Sequence, residues 1–299
     1  VVYPRFLCKD LRVFTKAIVR PPAANFAEGL TTADLGVPNF ERALTQHEAY
    51  CAALEQCGLT VTRLAADPRH PDSTFVEDAA IFFGALPHGR VSALVSEPAR
   101  PLPQAVLTRP GAPSRRGEVE SMREVLVDFA PSPGEIQSPG TLDGGDVCEA
   151  GNHFFVGLSE RTNEVGAQQL AELLAQFGYT SSFVDSRGLS GMESVPGALA
   201  TGSHLLHLKS GLAFLGENRL AVVEALANRA EFAGYDLILV DSAEEYAANC
   251  VLINDRVLVA AGYPAFESKL RALGYQTIAL EMSEFQKMDG GLSCLSLRF

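Results

Sequence analysis

Apolar and polar positions along this chain fall into one pattern that returns five times: a short apolar strand, a loop holding Arg, Pro or Gly, a one-sided helix, and a second apolar strand. The first copy starts at Lys16, with KAIVRPPA as strand and loop, FERALTQHEAYCAALEQCG as helix and LTVTRLAA as strand. AVLTRPGAPSRRGEVESMREVLVDF supplies the strand, loop and helix of the second. The third, FFVGLSERTNEVGAQQLAELLAQFGYTSSFV, is the clearest. Its Leu170, Leu173, Leu174 and Phe177 recur at three- and four-residue spacing, which gathers them on one helix face. LAVVEALANRAEFAGYDLILV follows with a poorer helix, and VLVAAGYPAFESKLRALGYQTIAL completes the set. Three helices are expected to stop at Gly58, Gly178 and Gly274, because the left-handed backbone of a helix terminus suits glycine. The strands are nearly all-apolar, so the helices are expected to cover them.

Five units of about 60 residues fill residues 1–299 as a single domain, and a repeat of that length signals a ring or a stack. Between units lie PDSTFVEDAA, TLDGGDV, HLKS, AANC and GGLSC. Units packed about an axis would put these segments at equivalent places and gather them near the centre. Acids, a histidine and a cysteine far apart in sequence would then share one pocket. Taken singly, each segment also reads as an ordinary turn or strand start.

Composition narrows the classes. At 47% hydrophobic and 20% charged, 299 residues are ample for a core and too apolar for a disordered chain. With 24 Lys and Arg against 36 Asp and Glu, the net charge is −12. Arg115–Arg116 is the only adjacent basic pair, so no nucleic-acid partner is expected. No apolar run reaches the roughly 18 residues of a membrane span, so no membrane partner is expected either. Arg5, Lys9, Asp10 and Arg12 interrupt the first stretch, which lacks the apolar core of a secretory signal; a segment upstream of Val1 is left open. The six cysteines are Cys8, Cys51, Cys57, Cys148, Cys250 and Cys294, with no CxxC among them. Reduced thiols in the cytoplasm are the expectation, most of them small buried hydrophobes.

Three residues offer chemistry. Cys294, in MDGGLSCLSLRF, follows two glycines and precedes an alternating stretch, so its thiol can be presented at a strand's start. A thiol nucleophile needs a base and a third group to orient that base. His207, in SHLLHLKS, and Asp143, in TLDGGD, supply the two types. Each alone has a bland alternative: an inert cysteine, a structural histidine, a hairpin turn.

At the level of motifs, FVED (75–78), LTRPGAPSRR (107–116), TLDGGD (141–146), FFVGLSERTN (154–163), LHLKS (206–210), AANC (247–250) and the Cys294 segment resemble the dimethylarginine dimethylaminohydrolases, in order and across nearly the whole chain. The resemblance implies the pentein fold, a five-bladed α/β propeller with pseudo-fivefold ββαβ-type repeats. It implies hydrolysis of N-omega-methylated arginines to citrulline and a methylamine, without metal or organic cofactor. Cys294 matches the nucleophile, His207 the general acid and base, and Asp143 the acid that orients the histidine. Glu77 and Asp78 match carboxylates around the substrate guanidinium, and Asp72 another polar contact. Arg109 and Arg161 match the arginines that hold the amino-acid carboxylate. Leu30 lies in a region similar to the mobile flap, and Met288 and Asp289 match the pocket wall.

Two departures stand out. GALPHGRVSALVSEPARPLPQA and SRGLSGMESVPGALATGSH are insertions rich in Gly, Pro and Ser, expected to be surface loops that reshape the entrance or mediate association. The partner expected is a small guanidino amino acid, with a homodimer as an open assembly. The second departure bears on the rivals, an arginine deiminase and a non-catalytic guanidino-binding pentein. In the deiminase and amidinotransferase relatives an aspartate follows two residues after the histidine, and here that place is Lys209. One carboxylate fewer favours a methylated substrate. Cys294, His207 and Asp143 together argue against a non-catalytic protein.

Overall fold

The computed structural model describes residues 13–84, 103–187 and 205–299. The first unit runs from β1 (Lys16–Val19) through α1 (Phe40–Gln56) to β2 (Thr60–Arg63), and the second holds β3 (Ala80–Phe83), β4 (Gln104–Leu107), α2 (Glu118–Leu126) and β5 (Gly134–Glu135). The third comprises β6 (Val147–Ala150), β7 (His153–Leu158), α3 (Glu164–Ala175) and β8 (Thr180–Asp185). The fourth has β9 (Leu212–Phe214), β10 (Arg219–Val223) and β11 (Asp236–Val240). The fifth has β12 (Val251–Ile253), β13 (Arg256–Ala260), α4 (Pro264–Ala272) and β14 (Gln276–Leu280). After α5 (Ser283–Gln286), the short β15 (Leu297–Arg298) returns to β1.

Each unit forms one three-stranded sheet of mixed α/β type, and all five share one plan. The first strand lies antiparallel to the middle strand and the third lies parallel to it. A parallel neighbour requires a crossover, which α1, α2, α3 and α4 supply. In the fourth unit two short turns, Glu224–Leu226 and Ala230–Phe232, take the helix's place, which is the outcome of its poorer pattern. In the first unit the antiparallel position is filled from the far end of the chain, with Ala17 opposite Arg298 and Ile18 opposite Leu297.

The middle strands are buried almost throughout, as their apolar runs require. The outer strands β2, β8, β11 and β14 depart from the expected full cover: they are edge strands, and part of each faces solvent. Helix α3 turns Leu170 and Leu174 fully inward, while Leu173 and Phe177 pack at the margin of the same cluster. Substituting a buried leucine such as these by alanine typically costs about 2–5 kcal/mol. Gly58, Gly178 and Gly274 follow their helices with φ of +89°, +88° and +94°, the left-handed stop that their positions foretell.

Five short turns stand immediately ahead of the sheets' first strands, and they contain the chemistry-bearing segments. Hydrogen bonds join them into a closed circuit. The Gly145 amide donates to Asp78 Oδ1 (2.8 Å), and the Leu208 amide to Asp146 Oδ1 (2.8 Å). Asn249 Nδ2 donates to the Lys209 carbonyl (3.0 Å), and the Ser293 amide to Asn249 Oδ1 (2.9 Å). Ser293 Oγ closes the circuit on Glu77 Oε2 (2.8 Å). The expected convergence of distant acids, histidine and cysteine is therefore present. Among the described residues no helix is long and apolar enough to cross a membrane. Cys8, His204 and most of the two insertions lie outside the described residues.

Candidate active site

Cys294 is the middle residue of the turn Ser293–Leu295 ahead of β15, and two glycines let it form. A side chain at Gly290 would collide with the Phe75 ring, and one at Gly291 with Asn249. The thiol is buried, with the Gly291 amide 3.5 Å from Sγ. Burial pushes its pKa up to about 12, and the negative charges of Glu77 and Asp78 act in the same direction. At neutral pH the free enzyme therefore holds a neutral thiol. Alkylation of Cys294, followed by peptide mass spectrometry, should accelerate about tenfold per pH unit between about pH 7 and 9. A plateau near pH 8 would contradict this ionisation state.

His207 Nε2 lies 3.0 Å from Asp143 Oδ2, and the other Asp143 oxygen accepts from the Gly111 amide at 2.8 Å. The pair is buried, and Gly145 packs against the ring so closely that a Cβ would sit 2.6 Å from Nδ1. Burial alone would lower the His207 pKa. Asp78, the hydrogen bond to Asp143 and Asp146 outweigh it and push the value up to about 9. Asp78, Asp143 and His207 offer polar atoms within 4.8 Å of one another. That is also ligand spacing, yet the carboxylate oxygens already serve protein donors: Gly111 and His207 on Asp143, Gly145 and Arg115 on Asp78. The arrangement holds the imidazole charged among three carboxylates, Asp78, Asp143 and Asp146.

The two carboxylates of FVED are buried, as their apolar flanks suggest, but they differ in use. Among the described residues each Asp78 oxygen accepts one hydrogen bond, Oδ1 from the Gly145 amide and Oδ2 from Arg115. Glu77 is more heavily committed: Lys209 Nζ (2.6 Å) and Arg298 Nη2 (3.0 Å) bind Oε1, and Ser293 Oγ binds Oε2. Glu77, Lys209, Ser293 and Arg298 line a cavity of about 140 Å³ between the sheets, shared with Phe82 and Cys148. Lys209 thus does more than omit a carboxylate. It also neutralises one that was expected to face the guanidinium.

Asp72 and Asp289 hold the segment expected to be a flap. The Leu30 amide donates to both Asp72 oxygens at 3.0 and 3.1 Å. The Thr32 amide and hydroxyl donate to Asp289 Oδ2 at 2.5 and 3.0 Å. Asp289 adopts φ +55°, and the methyl end of Met288 packs under Gly29, so Leu30, Asp72, Met288 and Asp289 form one strapped wall. Burial pushes the Asp72 carboxyl up, against the pull of Arg115. Arg109 and Arg161 come from neighbouring loops. Gly111 lies so near the Arg161 backbone that any side chain there would clash, and Arg109 Nη1 donates to the Gly140 carbonyl at 3.0 Å. Among the described residues neither arginine is in an ion pair with a carboxylate.

Several contributors were not singled out from the sequence. Asp146 accepts from Ser159 Oγ (2.6 Å), Thr162 Oγ1 (2.7 Å) and the Leu208 amide, tying the His207 turn to the FFVGLSERTN loop. Asn249 braces the Cys294 turn through Ser293. Asn163 caps α3 through the Gly166 amide (2.8 Å) and also accepts from Thr141 (3.0 Å), so the helix start fixes the Asp143 loop. Each lies inside a motif that was quoted above, and that was the available signal.

No family model matches the chain. Among curated proteins, the N(G),N(G)-dimethylarginine dimethylaminohydrolase of Pseudomonas aeruginosa is 39% identical over 288 residues, covering 96% of this chain and 100% of that one. The protein of the same name from Streptomyces coelicolor is 32% identical over 285 residues, covering 95% and 96%. Among solved structures, a cysteine-to-serine variant of the Pseudomonas aeruginosa enzyme complexed with citrulline superposes with TM-score 0.81 at 38% identity, covering 96% of this chain and 100% of that one. Identity of this level along both full lengths, over motifs that build one buried site, places the chain in the dimethylarginine dimethylaminohydrolase family.

Proposed function

We propose that this protein hydrolyses asymmetric dimethylarginine and monomethylarginine to citrulline and the corresponding methylamine, acting as one catalytic unit over residues 1–299 with Cys294 as nucleophile. The observation that carries the reading is the His207–Asp143 hydrogen bond in the same circuit of turns as Cys294. That circuit also supports reading the five sheets as blades of a pentein propeller, with the site at the end where the turns meet. A working free thiol suits a reducing compartment, the cytoplasm.

The chemistry follows from the charges. A guanidinium is delocalised and positive, so it resists attack by a neutral thiol. Bound beside Asp78, it would bring its own positive charge to Cys294, offsetting the two carboxylates and favouring loss of the thiol proton to solvent. The thiolate attacks the guanidino carbon and forms a C–S bond. The tetrahedral adduct then expels the methylated nitrogen, which His207 protonates as it leaves as amine. A water replaces the amine and gives a proton to His207 while its oxygen bonds the same carbon. The C–S bond breaks, the proton of the new hydroxyl passes to the departing sulfur, and citrulline and the thiol are released. Asp143 holds the imidazole in position throughout, and Arg109 and Arg161 grip the substrate carboxylate.

Substrate choice rests on acceptor supply. An unsubstituted guanidinium presents five N–H donors, and methylation removes donors and adds bulk. With Lys209 and Arg298 occupying Glu77, the site offers fewer free acceptors and loses less on methylation. The test compares kcat/KM for asymmetric dimethylarginine, monomethylarginine, arginine and agmatine under one condition. Both methylarginines should exceed arginine. Agmatine, lacking the carboxylate, should fall at least about a hundredfold below them. Arginine outperforming both would make the protein a deiminase, and a good rate on agmatine would remove the role of Arg109 and Arg161.

A further inference from the structure

Arg115 is buried beside Asp78 and takes no part in the chemistry above. Its guanidinium is clamped from one side by Glu118, with Nε to Oε1 at 3.0 Å and Nη2 to Oε2 at 2.8 Å. That bidentate clamp fixes the plane of the fork. The remaining donors then face the segment that carries the pocket acids: Nη1 to Asp78 Oδ2 at 2.6 Å, and Nη2 to the carbonyls of Asp72 and Phe75 at 3.3 Å each. Gly145 fixes the other Asp78 oxygen. Asp78 is therefore located from two opposite sides, and only one of them is a side chain.

The charges point the same way. Two buried carboxylates share one guanidinium, an arrangement too costly to keep ionised without it. Burial pushes Glu118 up to about 7 even with Arg115 pulling it down. Asp78 stays well below the usual carboxylate range because His207 and Arg115 outweigh its burial.

We propose that Arg115, oriented by Glu118, is a positioning residue that sets Asp78 for the cationic head of the substrate, so that it governs preference for a guanidinium over a neutral urea group without touching either. The proposal rests on the reading that Asp78 faces the guanidinium. Lysine at this place keeps the charge, but a single ammonium cannot span the Glu118 clamp, Asp78 and two carbonyls together.

The experiment measures binding of asymmetric dimethylarginine and of citrulline by calorimetry to the full chain carrying Cys294→Ser, with and without Arg115→Lys. The Kd of the cationic ligand should rise at least about tenfold, while that of neutral citrulline changes less than about threefold. A role confined to folding would weaken both ligands alike and lower Tm. Glu118→Gln, which keeps the arginine and loosens its clamp, should give the same split at smaller size and serves if Arg115→Lys does not fold. Equal losses for both ligands, or no loss of either in folded variants, would overturn the proposal. Citrulline release by the unsubstituted enzyme is measured alongside. Its absence with methylated arginines would overturn the proposed activity, whereas the binding split decides on Arg115 separately.

Discussion

Cys294→Ala is expected to lower citrulline release by more than about 10,000-fold, to the level of solvent background. The loss should be that large because nothing else in the site can form the covalent bond. Of the five described cysteines, Cys51, Cys57, Cys148 and Cys250 are packed in the hydrophobic clusters, and none is in the turn circuit's catalytic position. Cys51→Ala and Cys57→Ala should keep their activity. A haloamidine that traps the nucleophile should label Cys294 in peptide mass spectrometry. A label on Cys250, or full turnover by Cys294→Ala, would rule the assignment out. Alanine removes one sulfur from a site already sealed by Gly290, Gly291 and Asn249, so circular dichroism and Tm should change little.

His207→Ala carries the second largest effect, a fall of about 100- to 10,000-fold in kcat. Two proton transfers depend on the imidazole, one to the leaving amine and one from water. If water activation depends on it more than attack does, a covalent species of substrate mass less the amine should accumulate, visible by intact-protein mass spectrometry. The direction of the His207 shift adds a second readout. The ring is protonated in the free enzyme up to about pH 9, while the thiol stays neutral to about pH 12. So kcat/KM should rise with pH as thiolate accumulates and level off above about pH 9, where the gain in thiolate is offset by loss of the proton donor. His204→Ala should be mild. Should His204→Ala be the inactive variant, the register of the SHLLHLKS segment would be wrong.

Local periodicity made the five units legible, down to the glycine stops and the weak fourth helix, because strands and helices leave their period in the sequence. The convergence of the chemical segments followed from repetition alone. The ion pairs did not. Glu77 meets Lys209 and Arg298, and Arg115 meets Asp78, across separations that no spacing rule marks. The carboxylate motif by itself therefore gave no sign that Glu77 and Asp78 each meet a cationic side chain of the protein. The partner of β1 was hidden for the same reason: a two-residue strand carries too little pattern to announce where it pairs.

That last pairing also orders assembly. Four sheets are built from strands close along the chain and can form as each segment collapses. The sheet of β15, β1 and β2 must join opposite ends of the polypeptide, the costliest loop closure in the molecule. Cys294 sits in the turn that delivers β15 to that sheet. The Cys294 turn is therefore fixed in place only when that closing sheet forms. Any site that depends on the placement of Cys294 is thus completed last, together with the seam between the two ends of the described fold.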